Sequence, residues 1–208
     1  MTDLQPHDVA ALGRVVLATA NANKAAEIKA ILWDWELIPR PSSVPDVDET
    51  SDTLVGNARL KAQALAITTG LAALADDTGL EVPALDGAPG VHSARYAGPN
   101  AIDDENVEKL LTEMSHLEGA QRAARFRTVA LLLLPDGREV IGEGVLDGHI
   151  TTARRGENGF GYDVVFVPLH SPGMITFGQM SADEKNKMSH RSKAFLALRD
   201  EVAKLEKG

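Results

Sequence analysis

FRTVALLLLPDGREVIGEGVLDGHIT, Phe126–Thr151, carries two apolar, β-branched runs separated by Pro135, Asp136 and Gly137. A turn of that composition folds two strands back on each other as an antiparallel hairpin. On either side of it the chain alternates strand-like and helix-like segments. RVVLATA, Arg14–Ala20, and LAALAD, Leu71–Asp76, have the short apolar runs of buried strands. NKAAEIKAILWDW places Ile28, Ile31, Leu32 and Trp35 at helical spacing, and TLVGNARLKAQALAITTG does the same with Leu54, Ala58, Ala62 and Leu65 before Gly70 ends it. Alternation alone would predict a parallel sheet, which has no place for a hairpin. The fold class expected is therefore α/β, with a mixed sheet flanked by helices.

Further along, DDENVEKLLTEMSHLEG reads as an amphipathic helix with Val107, Leu110, Leu111, Met114 and Leu117 inward. YDVVFVP reads as another strand, and SADEKNKM as the opening of the last helix, with Ser181 and Glu184 spaced as a capping box. IPRPSSVPDVDETSD is rich in Pro, Ser and Asp and reads as a loop or edge segment. The Pro- and Gly-rich connections leave room for a cleft between two lobes of one domain spanning 1–208.

Bulk composition narrows the class. The 208 residues are 44% apolar and 25% charged, an ordinary globular mixture. No apolar run approaches the ~20 residues of a membrane helix. The start, MTDLQPHDVAALGR, lacks the basic-then-apolar order of a secretory leader, so the cytoplasm is the expected location. With no cysteine, thiolate chemistry and disulfides are excluded. The net charge of −9 opposes nucleic-acid backbone binding. An anionic small molecule would have to be met locally, by a few Lys and Arg or by a metal.

Five segments have the residue types for that task. TANANK, Thr19–Lys24, follows a strand and opens a helix, where backbone N–H groups and the positive helix end favour phosphate; a plain Asn N-cap explains the same residues. The G-x-x-x-x-G-K-[ST] loop is missing. Asp76 and Asp77 are expected at the end of a strand before a Thr-Gly turn. Mg²⁺ takes one or two carboxylates and keeps its remaining sites for water and phosphate, so it would offset their mutual repulsion. Glu49 is a second candidate acid; the alternative is a turn cap beside a solvated Asp. GAPGVHSARYAG, Gly87–Gly98, is a turn-rich loop with Arg95 and Tyr96. RRGENGFGYD displays Phe160 between two glycines, either as a base-stacking ring or as a core plug. DEKNKMSHRSKAF brings Lys185, Lys187, His190 and Arg191 near one helix, either as a binding cluster or as solvated charges.

In this order and spacing, TANANK, ADDTGLEVPALDGAPGVHSARYAG, RGENGFGYDVVFVP and EKNKMSHRSKA resemble the inosine triphosphate pyrophosphatase family, the dITP/XTP pyrophosphatases, from about Val15 to about Leu198. Departures are Ala20 for a frequent Gly, Thr78 for Ser, Gly56 where an acid commonly precedes Asn57, and Gln179 for Glu. The resemblance implies an elongated α/β fold with a deep substrate cleft. It also implies a homodimer and Mg²⁺-dependent hydrolysis of ITP, dITP or XTP to the monophosphate and pyrophosphate. It assigns Asp77 as proton acceptor and metal ligand beside Asp76, and Glu49 as a second metal ligand. Thr19, Ala20, Asn21, Ala22, Asn23, Lys24 and Thr78 would hold the triphosphate. Phe160, Gly161, Tyr162, Asp163, Lys185, His190 and Arg191 would hold the base. Rival readings are a pyrophosphatase for other modified nucleotides, a general Mg²⁺-dependent phosphatase, and a nucleotide-binding module without catalysis.

Overall fold

The computed structural model describes residues 13–205. Met1–Leu12, on which the expectation about a leader largely rests, lie outside them. Seven strands form one mixed sheet among the described residues, in the order β2-β1-β3-β5-β6-β7, with β4 paired to β3. They are β1 (Val15–Leu17), β2 (Leu37–Ile38), β3 (Ala72–Glu81), β4 (Pro89–Gly90), β5 (Ala123–Leu133), β6 (Glu139–Ile150) and β7 (Phe166–Pro168). β1 runs parallel to β2 and β3, whereas β3–β4 and β6–β7 are antiparallel. The Pro135–Gly137 turn joins the adjacent β5 and β6, closed by Gly137 N–H donating to the Leu134 carbonyl at 2.9 Å.

The helices are α1 (Ala22–Ile31), α2 (Leu54–Thr69), α3 (Asp103–Glu113), α4 (Ala182–Asn186) and α5 (His190–Leu205). No helix of the described residues is long and apolar enough to cross a membrane. The expected ends hold where local chemistry fixes them. Thr53 caps α2 through Gly56 N–H, and Gly70 closes it in the left-handed conformation at φ 68°. Ser181 and Glu184 form their capping box.

Three expectations are corrected. β3 does not stop at Asp76; it runs on through Asp77, Thr78 and Gly79 to Glu81, because Leu80 and Val82 are buried beyond the acids and carry the strand forward. YDVVFVP is strand only over Phe166–Pro168, after a short 3₁₀ turn at Gly161–Val164. SADEKNKM forms α4, a helix separate from α5.

The chain divides into two compact units. The first comprises the chain up to Asp77, Val129–Gly144 and the chain from Arg191; the second comprises Thr78–Thr128 and Val145–His190. In the first unit the sheet is covered on both faces, and strand alternation decides which residue meets which helix. Val15, Leu17, Ala72, Leu74, Ala130 and Leu132 pack with Ile28 and Ile31 of α1 and Ala194, Phe195 and Leu198 of α5. Val16, Ala18, Ala73, Ala75, Leu131 and Leu133 pack with Ala58, Ala62 and Leu65 of α2. Contact on the α5 side is close: a Cβ on Gly142 would sit 2.2 Å from the Ala194 carbonyl oxygen, so only glycine fits there.

The second unit has its own core of Leu80, Val107, Leu110, Met114, Phe126, Ile150, Phe166 and Phe177, among others. Arg122 is buried inside it, without an acidic partner among the described residues. Its guanidinium donates to the carbonyls of Ile150 (2.7 Å), Met114 (2.6 Å), Leu117 (3.2 Å) and Thr151 (2.7 Å). One side chain thus ties the end of α3 to the end of β6.

Candidate active site

β3 carries Asp76 and Asp77 into the interior of the first unit, at 3% and 4% exposure. Their burial is tolerable because the strand sends them to opposite faces. Asp76 follows Ala72 and Leu74 onto the α1/α5 face; Asp77 follows Ala73 and Ala75 onto the α2 face.

On the α1/α5 face, Asp76 Oδ2 lies 3.4 Å from Lys24 Nζ and 3.4 Å from an Nη of Arg191. Arg191 also pairs through its other terminal nitrogen with Glu27, at 2.5 Å. Burial disfavours the charged form of Asp76, but the Lys24 and Arg191 cations outweigh it and hold the carboxyl well below the usual range.

On the α2 face, Asp77 Oδ1 accepts from Lys61 Nζ at 3.1 Å and Oδ2 accepts from Asn57 Nδ2 at 3.2 Å. The same Lys61 ammonium reaches Glu49 Oε1 at 2.9 Å. Asn57 Oδ1 accepts from Ser51 N–H at 2.9 Å and so anchors the acidic loop that bears Glu49. Burial raises the Asp77 pKa; Lys61 opposes the rise and Glu49 reinforces it, and the net shift is upward. For Lys61, burial works against the charge, but Asp77, Asp76 and Glu49 together raise its pKa.

Two hard carboxylates, Glu49 and Asp77, thus converge on one point. That donor set fits a divalent ion that takes two acids and fills its remaining sites with water or phosphate. No group of three His, Cys, Asp or Glu side chains stands at ligating spacing among the described residues, so an all-protein cage is not built here.

At the entry to α1, Asn21 accepts through Oδ1 from Asn23 and Lys24 N–H at 2.9 and 3.1 Å, while Thr19 Oγ1 accepts from Asn21 N–H at 3.1 Å. Side chains of the loop itself therefore satisfy three of its backbone donors, with Asn21 as the N-cap of α1. Thr19 and Ala20 also line a cavity of about 480 Å³ with Lys29, Arg40 and Val44.

In the second unit, Thr78 Oγ1 and Thr128 Oγ1 are hydrogen-bonded at 2.7 Å. Lys185, at 4% exposure, is ion-paired with the buried Asp163. Its ammonium also lies 4.6 Å from the centroid of the Phe160 ring. The Phe160 N–H donates to Asp163 Oδ2 at 2.9 Å, and the Gly161 N–H donates to Asp103 Oδ2 at 2.7 Å. Phe160 is half-buried, not an exposed flag. Tyr162 is buried and donates its hydroxyl proton to the Ser93 carbonyl at 2.9 Å. His190 is buried and stacks on Phe126 with centroids 4.3 Å apart.

The expected residues thus fall into three groups. Lys24 and Arg191 stand with Asp76; Glu49 stands with Asp77; Phe160, Gly161 and Asp163 stand with Lys185. Arg191, expected among the base-binding residues, presents its terminal nitrogens to Glu27 and Asp76. Sequence reasoning missed Asn57, Lys61 and Glu27. Of the departures, Gly56 lies against Ser51: a Cβ there would sit 1.9 Å from Ser51 Oγ and would have to displace that side chain. Gln179 Oε1 accepts from Thr176 N–H at 3.1 Å and closes a local turn.

A model of the Ham1 family matches residues 15–201. A dITP/XTP pyrophosphatase of Elusimicrobium minutum is 49% identical over 191 residues, covering 88% of this chain and 95% of that protein. One from Streptomyces avermitilis is 46% identical, covering 89% and 94%. Among solved structures, a HAM1 protein from Coxiella burnetii superposes with a TM-score of 0.80 at 40% identity, over 94% of this chain and 100% of that one. The Staphylococcus aureus Ham1 protein also gives 0.80, at 38% identity over 93% and 98%.

Proposed function

The chain belongs to the Ham1 family, and on that footing we propose that it hydrolyses the non-standard purine nucleoside triphosphates ITP, dITP and XTP to monophosphate and pyrophosphate. The observation that carries this reading is the Asp77–Lys61–Glu49 constellation fixed by Asn57. It is a buried, oriented carboxylate with a second acid and a cation in contact. A module that only binds nucleotide has no use for a carboxylate held this way.

Phosphoryl chemistry demands positioning and charge neutralisation more than covalent participation. Mg²⁺, held by Asp77 and Glu49, would neutralise phosphate oxygens and acidify a bound water. Asp77 accepts the proton of the water that attacks the α-phosphorus. Burial and the neighbouring Glu49 push its pKa up while Lys61 opposes them. Asn57 holds its other oxygen, so the attacking geometry is set before substrate arrives. Lys24 and Lys61 meet the charge of the departing pyrophosphate. Asp76 stays ionised, steadies Lys24 at the helix entry and takes no proton. Thr19 to Asn23 line the phosphate path.

The base is handled by the second unit. Phe160 offers its ring for stacking, which every purine satisfies. Discrimination rests on donors: the Lys185 ammonium, fixed by Asp163, pairs with a 6-oxo group and opposes the 6-amino group of adenine. His190 backs this wall by stacking on Phe126. The enzyme works as a homodimer in the cytoplasm on this reading.

The test is a nucleotide panel with Mg²⁺, reading pyrophosphate and orthophosphate separately. ITP, XTP and dITP are expected to exceed ATP in kcat/KM by at least about 100-fold, with pyrophosphate as product. Orthophosphate as first product would establish a phosphatase; binding of ITP without turnover would establish a sensor.

A further inference from the structure

Lys61 sits in an unusual place for a cation that is to meet a phosphate. Its Nζ is 2.9 Å from Glu49 Oε1 and 3.1 Å from Asp77 Oδ1. The side chain is 14% exposed, and the Asp77 side chain only 6%. One ammonium therefore occupies the point on which the two candidate metal ligands converge. Metal–oxygen distances for Mg²⁺ are about 2.0–2.1 Å, shorter than either of these contacts. An ion bridging the same oxygens would pull them together and leave no room for the ammonium between them. The lysine arm, unlike the buried Asn57 beside it, is long and flexible enough to leave.

We propose that Lys61 is a placeholder cation: it holds Glu49 and Asp77 together in the resting enzyme, is expelled by the divalent metal, and moves to the triphosphate that the metal accompanies. This rests on the assignment of the metal to Glu49 and Asp77. Three consequences follow. Metal alone binds weakly, because it must displace an ion pair and strand an ammonium in a nearly dry site. Metal with a triphosphate binds well, because the displaced ammonium gains phosphate oxygens as partners. Metal and nucleotide are therefore positively coupled, each raising the affinity for the other by one common factor. Lys24 is not equivalent, since its contact is with Asp76 on the other face of β3.

The test is Mn²⁺ binding by electron paramagnetic resonance on the full chain, with and without the α,β-imido analogue of inosine triphosphate. Without nucleotide, Lys61→Met is expected to bind Mn²⁺ at least about tenfold more tightly than wild type, and Lys24→Met less than about threefold. The factor by which the analogue tightens Mn²⁺ binding is expected to shrink in Lys61→Met. Lys61→Gln, which keeps one hydrogen-bond donor, is the second variant should Lys61→Met fail to fold, and a gain of the same sign is expected of it. Unchanged or weaker Mn²⁺ binding in the folded variants overturns the placeholder. Asp77→Asn and Glu49→Gln separate the two ideas. If they abolish Mn²⁺ binding while the lysine variants show no gain, only the placeholder falls. If they leave it intact, the metal lies elsewhere and both readings fall.

Discussion

Asp76 and Asp77 share a peptide bond but lie on opposite faces of β3, and the two faces treat a carboxylate differently. The α1/α5 face brings Asp76 two cations, Lys24 and Arg191, and outweighs the cost of burial. The α2 face brings Asp77 one cation that it shares with Glu49, and burial wins. One acid is held in its charged form; burial pushes its neighbour the other way. The lesson concerns division of labour. A strand's twofold alternation places two identical side chains in two electrostatic environments at no cost in sequence length, and so separates a structural carboxylate from a reactive one.

The largest expected effect tests the reactive face. Asp77→Asn should lower kcat/KM for ITP by 10³-fold or more, about 4 kcal/mol of transition-state stabilisation. Because folding already disfavours the charge on Asp77, the neutral amide should leave the urea midpoint unchanged or slightly raised. A large stability loss in Asp77→Asn would erase the distinction between the faces. The mirror experiment is Asp76→Asn. It removes the carboxylate that Lys24 and Arg191 share, leaving Arg191 with Glu27, and should cost about 3 kcal/mol of stability. The folded pKa of Asp76 lies below its unfolded value, so its contribution is complete above the ordinary carboxyl range and is lost as pH falls through the folded value. Wild type should therefore lose stability between about pH 5 and pH 2 more steeply than Asp76→Asn. Equal slopes in urea titrations would show that Asp76 is not held ionised.

Much of the fold was legible because single residues fix it. Gly70 and Thr53 bound α2, and Pro135–Gly137 makes a mixed sheet unavoidable. What misled was length: LAALAD looks complete at six residues, yet Leu80 and Val82 extend the strand through the acids. That error made the two carboxylates look like a repelling pair at a strand end. Read as mid-strand, they alternate, and no shared metal is needed to separate them. A second signal was present and unread. Leu54, Asn57, Ala58, Lys61, Ala62 and Leu65 form one continuous helical stripe, and two of its six members are polar. Polar residues on a stripe that faces a sheet must have partners there, and Asp77 is that partner. Glu27 stands likewise between Lys24 and Ile28 on α1. Arg191 could not be placed from sequence at all. Its partners Glu27 and Asp76 are 164 and 115 residues away, and no local pattern encodes such a contact.

The second unit sharpens the contrast, since its buried pair is the one proposed to read the base. Lys185 and Asp163 are buried like Asp76 and Arg191, and the ammonium has an aromatic ring 4.6 Å away. Lys185→Met should therefore reduce the ITP-to-ATP ratio of kcat/KM by 10- to 100-fold, about 2 kcal/mol, with a smaller effect on ITP binding itself. A variant that loses turnover on every nucleotide equally would show that the pair only supports the fold.

Phe160 gives the smallest effect and the cleanest separation. Its N–H is tied to Asp163, and the glycines on either side have positive φ (77° and 58°), so backbone geometry helps to set where the ring stands. Replacing the ring should consequently leave the loop and the Asp163–Lys185 pair in place. Phe160→Leu is expected to raise KM about 5- to 10-fold, roughly 1 kcal/mol, for ITP, XTP and ATP alike. A stacking surface meets the π-face that all purines share, whereas Lys185 meets the 6-position at which they differ. If Phe160→Leu shifts the ITP-to-ATP ratio as far as Lys185→Met does, the ring must act by placing the ammonium, and stacking and selection in this unit are one device.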